Sequence, residues 1–171
     1  AAGRLKAEKL LVTPFWLDVT HPAGVQIVAR QVEASSGRLD VLVNNAGVSL
    51  DGDATADQVE PALLAQTLEV NLIGALRVAQ AFIPLMKSHD YGRIVNLSSS
   101  LGCLTEMGSH HPAYRISKTA LNALTRVLAA DLMGSNILVN AVCPGYVKTE
   151  MGGPHAERPV EEAVDTILWL A

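Results

Sequence analysis

The feature that most constrains this chain is the alternation of short, continuously apolar runs with longer amphipathic stretches. Residues 12–19, 41–45, 93–98 and 137–142 are apolar on consecutive positions, whereas 22–34, 63–86 and 113–132 space their apolar residues as helices do. Strands apolar on consecutive residues are covered on both faces, and strands that alternate with helices run parallel. The expected architecture is therefore α/β, a doubly wound parallel sheet. Pro22 suits the first turn of a helix, and Ser36-Gly37, Gly92 and Pro144-Gly145 punctuate the pattern. No linker, low-complexity tract or fixed-period repeat divides the 171 residues, so 1–171 read as one domain.

Composition narrows the function classes. The chain is 49% apolar and 18% charged with a net charge of −4, and its Lys and Arg residues are scattered, which gives no attraction toward nucleic acid or anionic lipid. Cys103 and Cys143 lie in no CxxC pattern, and His21, His89, His110, His111 and His155 show no ligand spacing, so no metal site is expected. No apolar run approaches the roughly 20 residues of a spanning helix, and residues 1–9 have no signal-peptide layout. The chain reads as cytoplasmic, with neither nucleic acid nor membrane as a partner. Residues 1–10 look like a helix already in progress and Ala171 falls inside the periodic stretch 160–171, so both ends read as cut.

In open α/β sheets ligands bind beyond the carboxyl ends of the strands. Here those positions hold Asp18-Val19, Asn44-Asn45-Ala46-Gly47, Ser98-Ser99-Ser100 and Pro144-Gly145. Tyr114 and Lys118, four residues apart near the start of a predicted helix, share one face. A phenol titrates near pH 10, and a neighbouring ammonium that stabilises the phenolate brings it toward use as a proton shuttle. Ser99 is placed either to hydrogen-bond a substrate oxygen or to serve as a turn or cap. Asn71 interrupts an apolar helical stretch and needs partners; it either satisfies the fold or holds a water that links Lys118 to solvent.

Asn44-Asn45-Ala46-Gly47, Asn71, Arg93-Ile-Val-Asn-Leu-Ser-Ser99, Tyr114-x-x-x-Lys118 and Pro144-Gly145-x-x-x-Thr149, in this order and spacing, resemble the short-chain dehydrogenase/reductase family over residues 18–149. The resemblance implies a Rossmann-like fold and an oxidoreductase that moves hydride between NAD(P)(H) and a carbonyl or secondary alcohol. It implies Tyr114 as general acid/base, Lys118 as its modulator and ribose contact, Ser99 as orienter of the substrate oxygen, and Asn71 as water holder. Asp18 and Val19 would edge the adenine, Asn45, Ala46 and Gly47 would lie against the adenosine ribose, and Pro144, Gly145, Val147 and Thr149 would frame the nicotinamide. The family pairs its long helices between subunits, which implies a homodimer or homotetramer.

The family's first strand, Gly-rich loop and first helix should precede Asp18, yet Gly3 stands alone there. The sheet is therefore expected to lack that βα unit and the last strand. The residue that separates NAD from NADP would lie in the same unit; NADP is placed slightly ahead. Two classes of function stay open: an oxidoreductase, whose residues 1–171 alone would be inactive, and a non-catalytic interaction subunit. Without the first two strands, residues 12–18 are expected to move beside 41–45 or to pack poorly.

Overall fold

The computed structural model describes residues 2–171. Its elements are α1 (Ala2–Ala7), α2 (Pro22–Ser36), β1 (Val41–Asn44), α3 (Pro61–Leu68), α4 (Ala75–Ser88), β2 (Gly92–Leu97), α5 (Pro112–Asp131), β3 (Ile137–Val142), α6 (Val160–Ala163) and α7 (Asp165–Leu170). The strands form a parallel sheet in the order β1-β2-β3, with Asn44 opposite Asn96 and Ile94 opposite Val139.

Local chemistry explains where α2 begins and ends. His21 accepts a hydrogen bond from the Gly24 amide through Nδ1, Pro22 supplies the first turn, and Gly37 at φ 70° closes the helix with its amide on the Glu33 carbonyl. Val25 and Val28 then face Val78 and Phe82 of α4.

The helix expected over 63–86 runs from Pro61 to Ser88, and a π-helical turn, Glu69–Gly74, joins α3 to α4. Its best window has a mean hydropathy of 1.3, so by length and composition it could cross a membrane, contrary to the expectation that no stretch comes near. Averaging over a window tolerates Glu69, Asn71 and Arg77. The helix packs against α2 and α5, as a core helix does.

The sheet's two faces differ. Toward one point Leu42, Asn44, Ile94, Asn96, Ile137 and Val139, beneath α2, α4 and α5, with Ile94 and Met86 wholly buried. Asn44 donates to Asn96 (2.8 Å), which donates to Thr125 of α5 (2.9 Å), a polar ladder that pins the register of β1 on β2. On the other face α7 lies against Val95, Leu97 and Val142, through Ile167 and Leu170. Val43 is 40% exposed there and Leu138 51%.

One predicted strand is absent. Residues 12–19 form no ladder, and Leu11 and Trp16 lie in the open. A parallel strand needs a neighbour to bond, and residues 12–18 have not moved beside β1; they sit poorly packed instead. The segment is anchored most firmly at its end. Gly74 leaves room for Val19, since a Cβ there would lie 2.7 Å from Val19 Cγ2, and Arg77 donates to the Val19 carbonyl. The stretch expected over 160–171 is likewise broken, into α6 and α7 at Val164.

Candidate active site

Three chain segments meet at the carboxyl end of β2. Ser99 follows that strand directly, and its Oγ accepts from the Leu101 amide at 3.2 Å, so it opens a short 3-10 turn, Ser100–Gly102. The Tyr114 phenol stands near enough to the same Ser99 side chain for the serine hydroxyl to pull its pKa down. Ser99 is therefore a turn opener, one of the two readings open to it from the sequence, and it stands beside the phenol.

Lys118 lies one turn after Tyr114 on α5 and is 5% exposed. Its ammonium donates to the Leu97 carbonyl at 2.7 Å and stands 5.5 Å from the centre of the Tyr114 ring. Burial lowers the Lys118 amine to about 8. Burial also raises the Tyr114 phenol, the Ser99 hydrogen bond pulls it partly back, and nearby Cys143 adds to the rise. The lowering of Tyr114 by Lys118 that the spacing suggests does not appear: desolvation dominates, and the one group that lowers the phenol is Ser99. The protonated phenol is favoured near neutrality, the form a proton donor needs.

Gly102 is what lets the turn lie flush on α5. A Cβ at this position would lie 2.7 Å from the Lys118 carbonyl carbon and 2.8 Å from its Cβ. Thr119 and Asn122 both donate to the Gly102 carbonyl, and Ser98 donates to Asn122 at 2.6 Å.

Asn71 sits in the π turn, wholly buried. Its Oδ1 accepts from the Val48 amide at 2.8 Å, and its Nδ2 donates to the Val48 carbonyl and to Ser117 Oγ, each at 2.9 Å. Ser117 passes the chain on to the Tyr114 carbonyl at 2.8 Å. Asn71 thus finds its partners within the fold and clamps the loop after β1 to α5. Gly47 lies inside that clamp, where a Cβ would be 3.4 Å from Asn71 Oδ1 and 3.5 Å from Lys118 Nζ. Asn45 turns the chain out of β1 with its amide on the Val43 carbonyl, and Ala46 follows, exposed.

The end of β3 reaches the same place. Cys143 Sγ accepts from the Ser100 amide at 3.2 Å, so Pro144 and Gly145 start beside the Ser99 turn. Gly145, at φ 84°, turns the chain, and Arg158 donates to the Pro144 carbonyl. Val147 bridges to Arg158, while Thr149 caps a turn on Gly152.

The adenine-side residues stand apart. Asp18 accepts from the amide and hydroxyl of Thr20, bonds that lower its carboxyl below the usual range, and Val19 packs on Gly74. Ser117, Gly102 and Asp51, which accepts from the first amides of α5, were not singled out from the sequence. Their bonds to Asn71, Thr119 and Ala113 span 46, 17 and 62 residues, and nothing in local spacing announces them.

The family model for short chain dehydrogenases matches residues 1–159. The chain belongs to that family. It is 38% identical over 136 residues to the C-signal of Myxococcus xanthus, covering 78% of this chain and 80% of that one. It is 36% identical over 157 residues to the 3-oxoacyl-[acyl-carrier-protein] reductase FabG of Thermotoga maritima, covering 92% of this chain but 61% of that enzyme. Among solved structures it resembles the NADPH-bound carbonyl reductase from chicken fatty liver with a TM-score of 0.87 at 30% identity, over 98% of this chain and 72% of that one. Three parallel strands with helices between them thus form part of a Rossmann-like fold.

Proposed function

We propose that these residues carry the proton-transfer half of an NAD(P)(H)-dependent reduction of a small carbonyl compound, or the reverse oxidation of a secondary alcohol. The observation that carries this reading is the buried Lys118 ammonium 5.5 Å from the centre of the Tyr114 ring, with Ser99 beside the phenol. Tyr114 gives a proton to the substrate oxygen as it gains negative charge, and Ser99 orients that oxygen. Lys118 is a buried cation beside the Gly47 loop, and Pro144 to Thr149 begin next to Ser99. These residues suit the ribose and nicotinamide end of the cofactor, which when bound supplies or accepts the hydride. Gly47 leaves the backbone open to close approach.

The pyrophosphate end has no counterpart: before Asp18 the sequence holds one glycine, Gly3, and no Gly-rich turn into a helix. The reading therefore includes weak dinucleotide binding by residues 1–171 alone. NADP is favoured slightly over NAD, in keeping with the NADPH bound to the chicken enzyme. We place the protein in the cytoplasm, as one cofactor-binding unit and a homodimer or homotetramer. Ile73, Ile116 and Val127 on the long helices are 39%, 45% and 56% exposed, as a subunit contact requires, and sedimentation at micromolar concentration giving only monomer would contradict it.

A second reading, an interaction subunit without catalysis, draws on the exposed Val43 and Leu138 of the open sheet face. Tyr114→Phe in the native full-length chain separates the two. It removes one hydroxyl and little packing, so turnover should fall more than a hundredfold while cofactor binding persists. Retention of more than a few percent of activity refutes the assignment.

A further inference from the structure

We infer that Asp51, in the loop after β1, is a positioning residue that holds the first turn of α5 and with it the Tyr114 hydroxyl against Ser99. The inference deepens the reading of this site as a proton-transfer centre and rests on it for its catalytic consequence.

A helix leaves its first amides without partners inside the helix, and here each can be traced. Pro112, the first residue of α5, has no N–H. The Ala113 amide donates to Asp51 Oδ2 at 2.6 Å and the Tyr114 amide to the same oxygen at 3.2 Å. The Arg115 amide donates to the His111 carbonyl at 2.9 Å. Asp51 thus takes both amides that the start of α5 offers, and one of them belongs to Tyr114 itself. It does so from 62 residues away.

A local cap would be the simpler device, and the chain does not use one. His111 occupies the cap position at φ 53°, its side chain makes no cap bond, and His110 before it is at φ 61°. Two consecutive side-chain-bearing residues in the left-handed region are costly, and they persist only where the surroundings enforce them. Asp51 is 6% exposed, and its Oδ1 is buried with no hydrogen-bond partner among the described residues. An arrangement that served stability alone would leave neither the strained pair nor the orphaned oxygen.

What the distant cap achieves is a fixed separation. The loop that carries Asn45 to Gly47 is tied at Val48 to Asn71, at Asp51 to the start of α5, and at the Asp53 carbonyl to His110 Nδ1 (2.8 Å). The carboxylate also lies at the positive end of the α5 dipole. Tyr114 is therefore placed relative to the β1 loop and Lys118 by a strut that crosses between them, and a helix capped by its own residues would be free to shift along Ser99.

The test uses Asp51→Ala, Asp51→Asn and, as a control of the same bond type at the far end of the sheet, Asp90→Ala, which removes the carboxylate that accepts from the Asn136 amide. Amide hydrogen exchange needs no substrate. The Ala113 and Tyr114 amides should exchange at least tenfold faster in Asp51→Ala than in the parent or in Asp90→Ala, and Asp51→Asn, which keeps an acceptor oxygen, should restore most of the protection. In the native full-length chain Asp51→Ala should lower kcat at least tenfold with the cofactor KM within threefold of the parent, and Asp51→Asn should recover kcat to within threefold. Unchanged exchange or unchanged kcat in Asp51→Ala overturns the inference, as does equal kcat loss in Asp51→Asn and Asp51→Ala. If the parent shows no carbonyl reduction at all, the functional reading fails, and the exchange experiment still decides whether Asp51 holds the helix start.

Discussion

The two faces of the three-stranded sheet have met different fates. Under α2, α4 and α5, Ile94 and Met86 are sealed from solvent, and Asn44, Asn96 and Thr125 bond one another in the dark. On the other face α7 covers Val95, Leu97 and Val142, while Val43 and Leu138 of the outer strands remain in contact with water. Tyr114, Lys118 and Ser99, the residues proposed for proton transfer, are held by the elements of the closed face, through Asn71, Ser117 and the Ser99 turn. The segment that precedes α2, where the adenine end of a cofactor would be met, is held chiefly at Val19, by Arg77 and Gly74. The difference teaches that one layer of helices on a sheet is enough to fix Ser99, Tyr114 and Lys118 together, whereas the segment before α2 is fixed at few points.

The largest expected effect is the loss of turnover in Tyr114→Phe, because it strikes the closed side at its chemistry. Next comes a paired truncation that compares the faces directly. Ile94→Ala should cost about 3–4 kcal/mol, as large-to-small changes at sealed sites do, and Leu138→Ala no more than about 1 kcal/mol. Urea unfolding of both measures this, and equal losses would mean that the open face is covered in solution.

The third expectation concerns pH. Burial puts Lys118 at about 8 in the folded chain against 10.5 for the free side chain, so the unfolded chain holds this proton more tightly. The buried charge therefore makes folding less favourable at and below pH 8, and that penalty lifts as pH rises from about 8 to 10.5. It amounts to at most about 3 kcal/mol, from 1.36 kcal/mol per pH unit. Stability of Lys118→Met relative to the parent, measured at pH 7, 8, 9.5 and 10.5, should be highest at low pH and fall across that window. A constant difference would show that Lys118 is not desolvated.

Smaller still is Gly102→Ala, whose added Cβ must push the Ser99 turn off the Lys118 backbone. It should cost about 1–3 kcal/mol, the usual range for overpacking, and should lower kcat by misplacing Ser99. Full stability together with full activity would show that the turn is looser than its contacts indicate.

Much of this architecture is legible in the sequence because its causes are local. Pro22 and Gly37 bound α2, and β-branched runs mark β1, β2 and β3, so their limits fall within a residue or two of expectation. Tyr114, Lys118 and Ser99 are legible through spacing and strand ends. Residues 12–19 carry the same local signal as the true strands, but a strand is a property of a pair, and no neighbour meets them. Asn71 is recognisable as a residue needing partners, yet which partners depends on the π turn that aims it at Val48. Asp51 gives no local sign, because the amides it receives lie beyond α3, α4 and β2.

The central claim, that residues 1–171 assemble a proton-transfer centre but only part of a dinucleotide site, is tested most directly by expressing them alone and titrating NADPH and NADH by fluorescence, with a carbonyl-reduction assay on the same sample. The account predicts no saturation at micromolar cofactor and no turnover. Micromolar binding accompanied by carbonyl reduction would contradict it.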